Sequence, residues 1–260
     1  MSDFKRITGR ENSLIKLVSF LQTSARKRRE NGLFVLEGLR ICLDALDNSI
    51  RFDKLIVSDT AVSKHGETVN LFADNSDECF VIPDSLMLKI SDTKSPQGII
   101  AVCKIPKRKS SEINPRGRYV ALENVADPSN LGAVSRTAEA LGADGLILSS
   151  DGCDPYSPKA LRASMGTLLR VPVFILDSFA EDIKRLGLHS YACVVEKSAQ
   201  SIKEQEFYDG TVVIIGNEAN GITEQTKAAA ERLITIPMRG RAESLNAAAA
   251  AAIAIWEMMK

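Results

Sequence analysis

The stretch IPMRGRAESLNAAAAAAIAIW, residues 236–256, joins an apolar strand end, a polar loop and a helix of almost pure alanine. Residues 233–238 are typical of a buried strand, and the loop after it carries two arginines. We expect Ser244 or Asn246 to cap the helix that follows, because both side chains accept hydrogen bonds from free N–H groups at a helix start. Polar residues thus stand at the start of a helix that is otherwise apolar.

The C-terminal helix raises the question of what covers it. Residues 245–259 are apolar nearly all round, with only Asn246 and Glu257 polar. Such a helix must be covered on every side. The sheet of the same chain can cover one face of the helix. The other face then needs a second copy of the protein, so we expect a homodimer. A helix deep in the core of one chain is the alternative.

Apolar runs typical of strands alternate with helical patterns along the chain, which predicts an α/β fold in two domains. Residues 104–118 interrupt this pattern with prolines, serines and charge, so we place a linker at 106–118 between domains at 1–105 and 119–260. Strands such as 211–217 hardly alternate, as a mainly parallel sheet covered by helices requires. The predicted helices lie at 11–30, 39–49, 130–141, 158–169, 178–187 and 223–231.

Composition limits the classes of protein. The chain has 260 residues, 45% hydrophobic and 25% charged, with 33 basic and 33 acidic side chains, which is ordinary for a globular protein. Its five cysteines are odd in number and contain no Cys-x-x-Cys pair, so we expect no disulfide framework and no zinc site. The polar N-terminus predicts no signal peptide, and we expect a cytoplasmic protein. We expect no metal site, and His65 and His189 to be structural.

Basic residues cluster in two places. Residues 1–40 carry nine lysines and arginines against four acids, and residues 104–118 carry a second cluster. Such clusters indicate a polyanion partner, and a solvated basic face is the alternative. The predicted RNA-binding residues are Arg26, Lys27, Arg28, Arg29, Lys107 and Arg108.

The segment DPSNLGAVSRTAEALG, residues 127–142, predicts a helix with one core-facing stripe. Arg136 projects from the opposite side, and Gly132, one turn earlier, is expected to leave space where a ligand could come close. Glycine costs about 1 kcal/mol inside a helix and therefore needs a reason. The alternative is an exposed Arg136 that pairs with Glu139, with Asn130 only capping the helix.

The segment VVIIGNEANGI, residues 212–222, runs from a buried strand into a turn. Gly216 and Gly221 permit a sharp turn and close backbone approach to a ligand at the carboxyl end of a strand. A simple hairpin turn is the alternative, although it does not explain Glu218. The glycine spacings of dinucleotide and phosphate loops are missing, which argues against a nucleotide-dependent enzyme.

Taken together, these three segments resemble the SpoU/TrmH family of RNA ribose 2′-O-methyltransferases, within the class of knotted SPOUT enzymes. The resemblance spans residues 119–260. FVLEGLRICLDAL and SDTKSPQGIIAV, before the linker, are similar to the small ribosomal-protein-like RNA-binding domain that often precedes the catalytic unit. Ala219 departs from the family pattern, since many members have glycine there, and we expect a slightly less open turn.

The resemblance implies S-adenosylmethionine bound in a deep trefoil knot, with ribosomal RNA as the substrate and transfer RNA second. By motif position the cofactor-binding residues are Gly216, Ile236, Leu245, Asn217, Gly221 and Met238. The catalytic and substrate-binding set is Asn130, Arg136, Glu218, Ser244 and Asn246. A non-catalytic RNA-binding protein that keeps the knot is the alternative function.

The role of Arg136 follows from its chemistry. A guanidinium is effectively never deprotonated in proteins, so we expect Arg136 to bind phosphate and stabilise the developing alkoxide. A deprotonated arginine that acts as the base is the alternative.

Overall fold

A computed structural model describes residues 4–196 and 198–260 and divides the chain into two compact units. The first unit holds the residues up to Pro106 together with Tyr156–Arg162, and the second holds Lys107–Pro155 and Ala163–Lys260. No pattern in the sequence predicts that the short segment 156–162 groups with the N-terminal part.

The first unit is a five-stranded mixed sheet with helices. Its strand order is β1-β4-β3-β5-β2, with β1, β4 and β3 parallel and β5 antiparallel to both β3 and β2. The elements are β1 (Phe4–Arg6), α1 (Ser13–Thr23), α2 (Ala25–Asn31), β2 (Leu33–Glu37), α3 (Leu39–Asp47), β3 (Phe52–Ser58), α4 (Asp59–Lys64), α5 (Gly66–Asp74), β4 (Ser76–Ile82), α6 (Asp84–Ile90) and β5 (Ile99–Lys104).

The predicted single helix over 11–30 is wrong, because Ser24 divides it into α1 and α2. Ser24 has extended backbone angles, and its hydroxyl accepts a hydrogen bond from the N–H of Lys27. A serine that caps a new helix ends the old one, since its own backbone leaves the helical region. The predicted stop is confirmed, with Gly32 in the left-handed region at φ 64°.

The second unit is a seven-stranded sheet with helices. Its elements are β6 (Arg118–Leu122), α7 (Pro128–Leu141), β7 (Gly145–Ser149), the end of α8 (Pro158–Ser164), α9 (Thr167–Arg170), β8 (Val173–Leu176), α10 (Phe179–Arg185), β9 (His189–Cys193), β10 (Gln200–Ser201), β11 (Thr211–Ile215), α11 (Glu224–Ala229), β12 (Arg232–Thr235) and α12 (Ala247–Met259).

The strands of this sheet run in the order β10-β12-β9-β11-β6-β7-β8, and every neighbouring pair is parallel. The predicted mainly parallel sheet is therefore confirmed. All five residues of β7 and of β11 are buried, because helices cover both faces of a parallel sheet. The strands β12, β9, β11 and β6 are adjacent, so their carboxyl ends meet along one edge.

The predicted helix over 158–169 is interrupted at Met165 and Gly166. Both residues lie in the left-handed region, with φ of 51° and 88°. That conformation cannot continue a right-handed helix, so the chain starts again as α9.

One face of α12 packs against α7, β6 and β11. The opposite stripe is exposed and runs through Ala249, Ile253 and Trp256, with Trp256 56% exposed. The alternative of a helix deep in the core of one chain is therefore wrong. Within the described part of the chain, no helix combines the length and the apolar character that crossing a bilayer requires.

Gly132 serves helix packing, and the expectation that it leaves room for a ligand is wrong. A Cβ atom at this position would lie 2.5 Å from the Cβ of Ala163 and 2.8 Å from the backbone nitrogen of Ser164. The glycine is buried in α7, and its missing side chain lets the backbone at 163–164 approach closely.

We expect Gly132→Ala to destabilise the protein by about 1 to 2 kcal/mol, because overpacking outweighs the gain in helix propensity. Urea unfolding measures this loss. Gly66→Ala is the matched control, since Gly66 also lies in a helix but has nothing within 4 Å of its added Cβ. Equal stability of the two variants would contradict the packing role.

Candidate active site

Four loops gather at the carboxyl edge of the parallel sheet, where β12, β9, β11 and β6 end side by side. In open α/β sheets this edge is where ligands bind. The loop after β11 and the loop after β12 contain two of the segments that the sequence singles out. The loop after β6 leads into α7, which contains the third.

A chain of side-chain hydrogen bonds joins these three segments. The amide of Asn246 donates to Oδ1 of Asn130 at 3.0 Å, and the amide of Asn130 donates to Oε1 of Glu218 at 2.6 Å. Asn130 is buried, whereas Glu218 is exposed. The network brings together residues 88 and 116 positions apart.

A helix cap fixes one of these groups, Asn246. Oδ1 of Asn246 accepts from the N–H of Ala248 and of Ala249, so Asn246 and not Ser244 caps α12. The alternative that Asn130 caps α7 is wrong, because Asp127 accepts the N–H of Ser129 and is the N-cap. Asn130 is therefore free to bridge the other two segments.

The turn after β11 is closed by its own backbone. Asn217 and Gly221 exchange two backbone hydrogen bonds, of 3.0 and 2.9 Å, and Gly221 has φ 67°. A Cβ atom on Gly216 would lie 2.3 Å from the carbonyl carbon of Gly221. The missing side chain of Gly216 thus makes room for the backbone of the turn, which agrees with the alternative of a simple hairpin turn.

The side chain of Asn217 holds this turn in place. Its amide donates to the carbonyl oxygen of Asn124 at 2.7 Å, and its Oδ1 accepts from the N–H groups of Ala219 and Asn220. Ala219 is absent from the described residues with positive φ. Alanine therefore fits this position without backbone strain, although many family members have glycine there.

Sequence reasoning missed Glu123, a buried carboxylate at the end of β6. It accepts hydrogen bonds from the N–H of Thr223 at 2.9 Å, from the Thr223 hydroxyl at 2.7 Å and from the Thr226 hydroxyl at 2.6 Å. These bonds attach the end of the turn and the start of α11 to the sheet. The signal in the sequence was an acidic residue directly after a buried strand, because a buried carboxylate needs hydrogen-bond partners.

A cavity of about 380 Å³ lies beside the turn. This volume is within the range of small-molecule sites. Every residue that the sequence assigns to the cofactor lines it, namely Gly216, Asn217, Gly221, Ile236, Met238 and Leu245. Glu218 and Ser244 of the catalytic set line it as well, whereas Asn130, Asn246 and Arg136 are not among the lining residues.

The rest of the lining was not predicted. It includes the loop after β9, Cys193–Glu196, and Lys227 on α11. The ammonium of Lys227 donates to Glu196 and to Glu224, each at 2.7 Å, and these bonds raise its pKa to about 12. The sequence carries no periodic signal for this wall, since its members come from different loops and helices.

Arg136 is exposed on α7 and has no hydrogen-bond or ion-pair partner among the residues the structure describes. The alternative that it pairs with Glu139 is wrong. Nη2 of Arg170 donates to Oε2 of Glu139 at 2.9 Å, and Nε of Arg170 donates to Oε1. This hydrogen bonding lowers the pKa of Glu139.

The predicted RNA-binding residues have different surroundings. Arg28 is 4% exposed and donates to the carbonyl oxygen of Leu21 at 2.6 Å, so its guanidinium is not available to a phosphate. Arg26 and Lys27 both pair with Glu30. The remaining three are exposed, namely Arg29, Lys107 and Arg108.

We expect Glu123→Ala to cost about 2 to 3 kcal/mol of stability, because one N–H and two hydroxyls, one of them on the buried Thr226, lose their acceptor. Urea unfolding measures the loss. Glu123→Gln keeps the shape and one acceptor oxygen, so it should lose less. An alanine variant that unfolds at the same urea concentration as the unaltered protein would show that this carboxylate does not hold the turn.

Comparison with known proteins gives two family matches. Residues 117–256 match the SpoU rRNA Methylase family, and residues 12–101 match the MRM3-like substrate binding domain. The first match covers more than half of the chain.

Relatives and solved structures agree with these matches. The 23S rRNA (guanosine(2553)-2′-O)-methyltransferase RlmP of Bacillus subtilis is 28% identical over 98% of this chain and 99% of its own length. A 23S rRNA (uridine(2479)-2′-O)-methyltransferase of Streptomyces viridochromogenes is 27% identical over 98% and 92%. The crystal structure of an AdoMet-bound rRNA methyltransferase from Sinorhizobium meliloti has a TM-score of 0.85 at 27% identity, over 98% of this chain and 97% of its own. With its motifs gathered at one sheet edge and this match along the second unit, the chain belongs to the SpoU rRNA methylase family.

Proposed function

We propose that the protein transfers a methyl group from S-adenosylmethionine to a ribose 2′-hydroxyl of structured RNA, ribosomal RNA first and transfer RNA second. The observation that carries this proposal is the Asn246–Asn130–Glu218 network beside a cavity of about 380 Å³. The named relatives methylate 23S rRNA at a ribose 2′-oxygen, which supports ribosomal RNA as the first candidate.

The cavity fits S-adenosylmethionine in size and chemistry. Val194, Ile215 and Ile236 give it apolar walls for an adenosine, and the strand ends supply backbone polar groups. Glu218 provides negative charge for the cationic parts of the molecule. The cofactor supplies an activated methyl group on a sulfonium, so the protein mainly has to orient the ribose oxygen.

The residues of the proposed catalytic set have different roles in methyl transfer. The ribose hydroxyl must lose its proton as its oxygen gains the methyl group. Glu218 carries the one carboxyl group of the set, and it is exposed at the cavity, so we assign proton acceptance to it. Asn130 and Asn246 hold this carboxylate in place, and Arg136 binds phosphate and stabilises the alkoxide.

The path of the chain supports the proposed trefoil knot. Strand β12 lies on the far side of β9, whereas α12 packs on α7, β6 and β11 near the middle of the sheet. Residues 236–246 therefore connect the far side of β9 to the middle of the sheet, and they line the same cavity as the turn at 216–222. Threading through that loop is the arrangement that the family resemblance implies.

The exposed stripe of α12 supports the proposed homodimer. Ile253 is 37% exposed and Trp256 is 56% exposed, on the face opposite α7. Nη1 of Arg118 donates to the carbonyl oxygen of Met258 at 2.8 Å and fixes the end of the helix. A fixed helix that presents a large aromatic ring among small side chains is typical of an interface core.

For the RNA, we propose contacts with the exposed basic residues Arg29, Lys107 and Arg108, and with Arg26 and Lys27 when Glu30 releases them. Binding through such residues weakens as salt concentration rises. We also propose a cytoplasmic location, where RNA and methyl donor are both present. Residues 4–196 and 198–260 contain no group of three or more side chains suited to hold a metal ion.

We expect Arg136→Ala to lower methyl transfer at least about 100-fold, the size of effect that follows loss of a group stabilising a developing oxyanion. Affinity for the cofactor should be unchanged, because Arg136 does not line the cavity. Labelled S-adenosylmethionine with separate unmodified 23S rRNA and tRNA measures transfer, and calorimetry measures affinity. Arg185→Ala, on the exposed face of α10, is the control.

Two results would count against the proposal. If the unaltered protein labels neither RNA, the non-catalytic RNA-binding alternative is favoured. If Arg136→Ala loses cofactor binding instead of transfer, its proposed role is refuted.

We expect Trp256→Glu to prevent self-association, because a charge would be buried at the proposed interface. Sedimentation velocity should show a dimer for the unaltered protein and a monomer for the variant. Ile175→Glu is the control, since Ile175 is also about half exposed but lies on β8, which is not among the elements that α12 packs against. A variant that still sediments as a dimer would place the interface elsewhere.

A further inference from the structure

Helix α9 and the turn before it are attached to α7 at three successive places. The backbone at Ala163 packs on Gly132, the hydroxyls of Ser135 and Thr167 lie 2.6 Å apart, and Arg170 binds Glu139. On α7 these contacts fall at positions 132, 135 and 139, which share one face of the helix. The segment 163–170 therefore runs along α7 and ends at Arg170.

The contact at Arg170 has a consequence for charge. Residues three apart on a helix are neighbours, so Glu139 stands beside Arg136 and is the acid on α7 that its guanidinium can reach. Yet Arg136 is exposed and has no partner in the described residues, whereas Glu139 is engaged. Arg136 and Glu139 thus have the i, i+3 spacing of a helical ion pair, but Glu139 is bound to Arg170 instead.

The geometry at Glu139 is the stronger of the two arrangements. Arg170 uses two nitrogens for the two carboxylate oxygens, which is the bidentate form of this ion pair. The side chains of Arg170 and Glu139 are 28% and 34% exposed, so water screens the pair only in part. A single flexible contact from the exposed Arg136 does not match this pairing.

We propose that Arg170 is a positioning residue that withholds Glu139 from Arg136 and so keeps the Arg136 guanidinium free for the RNA. This inference rests on the proposed function and on the role of Arg136 in it. Arg170 touches neither RNA nor cofactor in this proposal; it acts by occupying the carboxylate that would otherwise neutralise Arg136.

The test compares two variants that break the same ion pair but differ in the charge left behind. Arg170→Ala frees a carboxylate next to Arg136, whereas Glu139→Gln removes that carboxylate. We expect Arg170→Ala to raise KM for unmodified 23S rRNA about fivefold, the combined effect of one helical ion pair and one added negative charge near the phosphate. Glu139→Gln should keep the KM of the unaltered protein.

The double variant Arg170→Ala/Glu139→Gln separates charge from packing. We expect it to regain the KM of the unaltered protein, because the competing carboxylate is gone. A purely structural role of the ion pair requires the opposite result, in which Glu139→Gln is as impaired as Arg170→Ala and the double variant is not rescued. Either of these two results overturns the proposal.

Further measurements keep the test independent of folding and of the reaction. Thermal melting of each variant reports folding, and Arg170→Gln replaces Arg170→Ala if alanine unfolds the protein. Arg185→Ala breaks a remote exposed ion pair on α10 and should change nothing. Filter binding of 23S rRNA without cofactor should show the same order of affinities as KM.

Failure of the proposed function gives a different pattern. If the unaltered protein transfers no methyl group but binds RNA, the proposed reaction is wrong, and the filter-binding order still decides the role of Arg170. If the reaction proceeds and the double variant is not rescued, the inference about Arg170 alone is wrong. In the Arg136→Ala background, Arg170→Ala should weaken RNA binding less than it does in the unaltered protein.

Discussion

The hydrogen bonds from Asn246 through Asn130 to Glu218 are the constraint on which the rest of the site depends. Each residue belongs to a different loop at one sheet edge, and none can move without breaking a bond to another. Asn246 also caps α12, so the geometry of the site and the start of the last helix are fixed by one side chain. Because Asn130 is buried, leaving its amide unpaired would be costly, which keeps the network intact.

A second layer of contacts supports that network from the sheet. Glu123 ties the turn after β11 to the end of β6, and Asn217 ties the same turn to the backbone of Asn124. The parallel sheet makes this possible, because β11 and β6 are direct neighbours and end together. Rigid strands thus position Glu218, although Glu218 itself lies on an exposed turn. This is how binding loops on a stable scaffold are commonly held.

Much of the fold followed from the sequence, because continuous apolar runs such as β7 and β11 mark a parallel sheet. The residues assigned to the cofactor line one cavity, and each lies in a motif that the resemblance covers. What did not follow depends on partners distant in the chain. Gly132 faces Ala163, and the guanidinium of Arg28 faces the carbonyl of Leu21. Glu139 binds Arg170 across helices, where spacing on one helix favours Arg136. Local patterns predict local pairing, and tertiary contacts replaced it.

The position of the last strand and helix in the chain has a consequence for synthesis. The walls that come from 193–222 leave the ribosome before those that come from 235–250, so the cavity is incomplete until that later stretch is made. The first unit is finished long before that, apart from the segment 156–162. Domains generally fold as units during translation, N-terminal first. A nascent chain therefore acquires its N-terminal sheet early and completes its cavity only after residues 235–250 have been made.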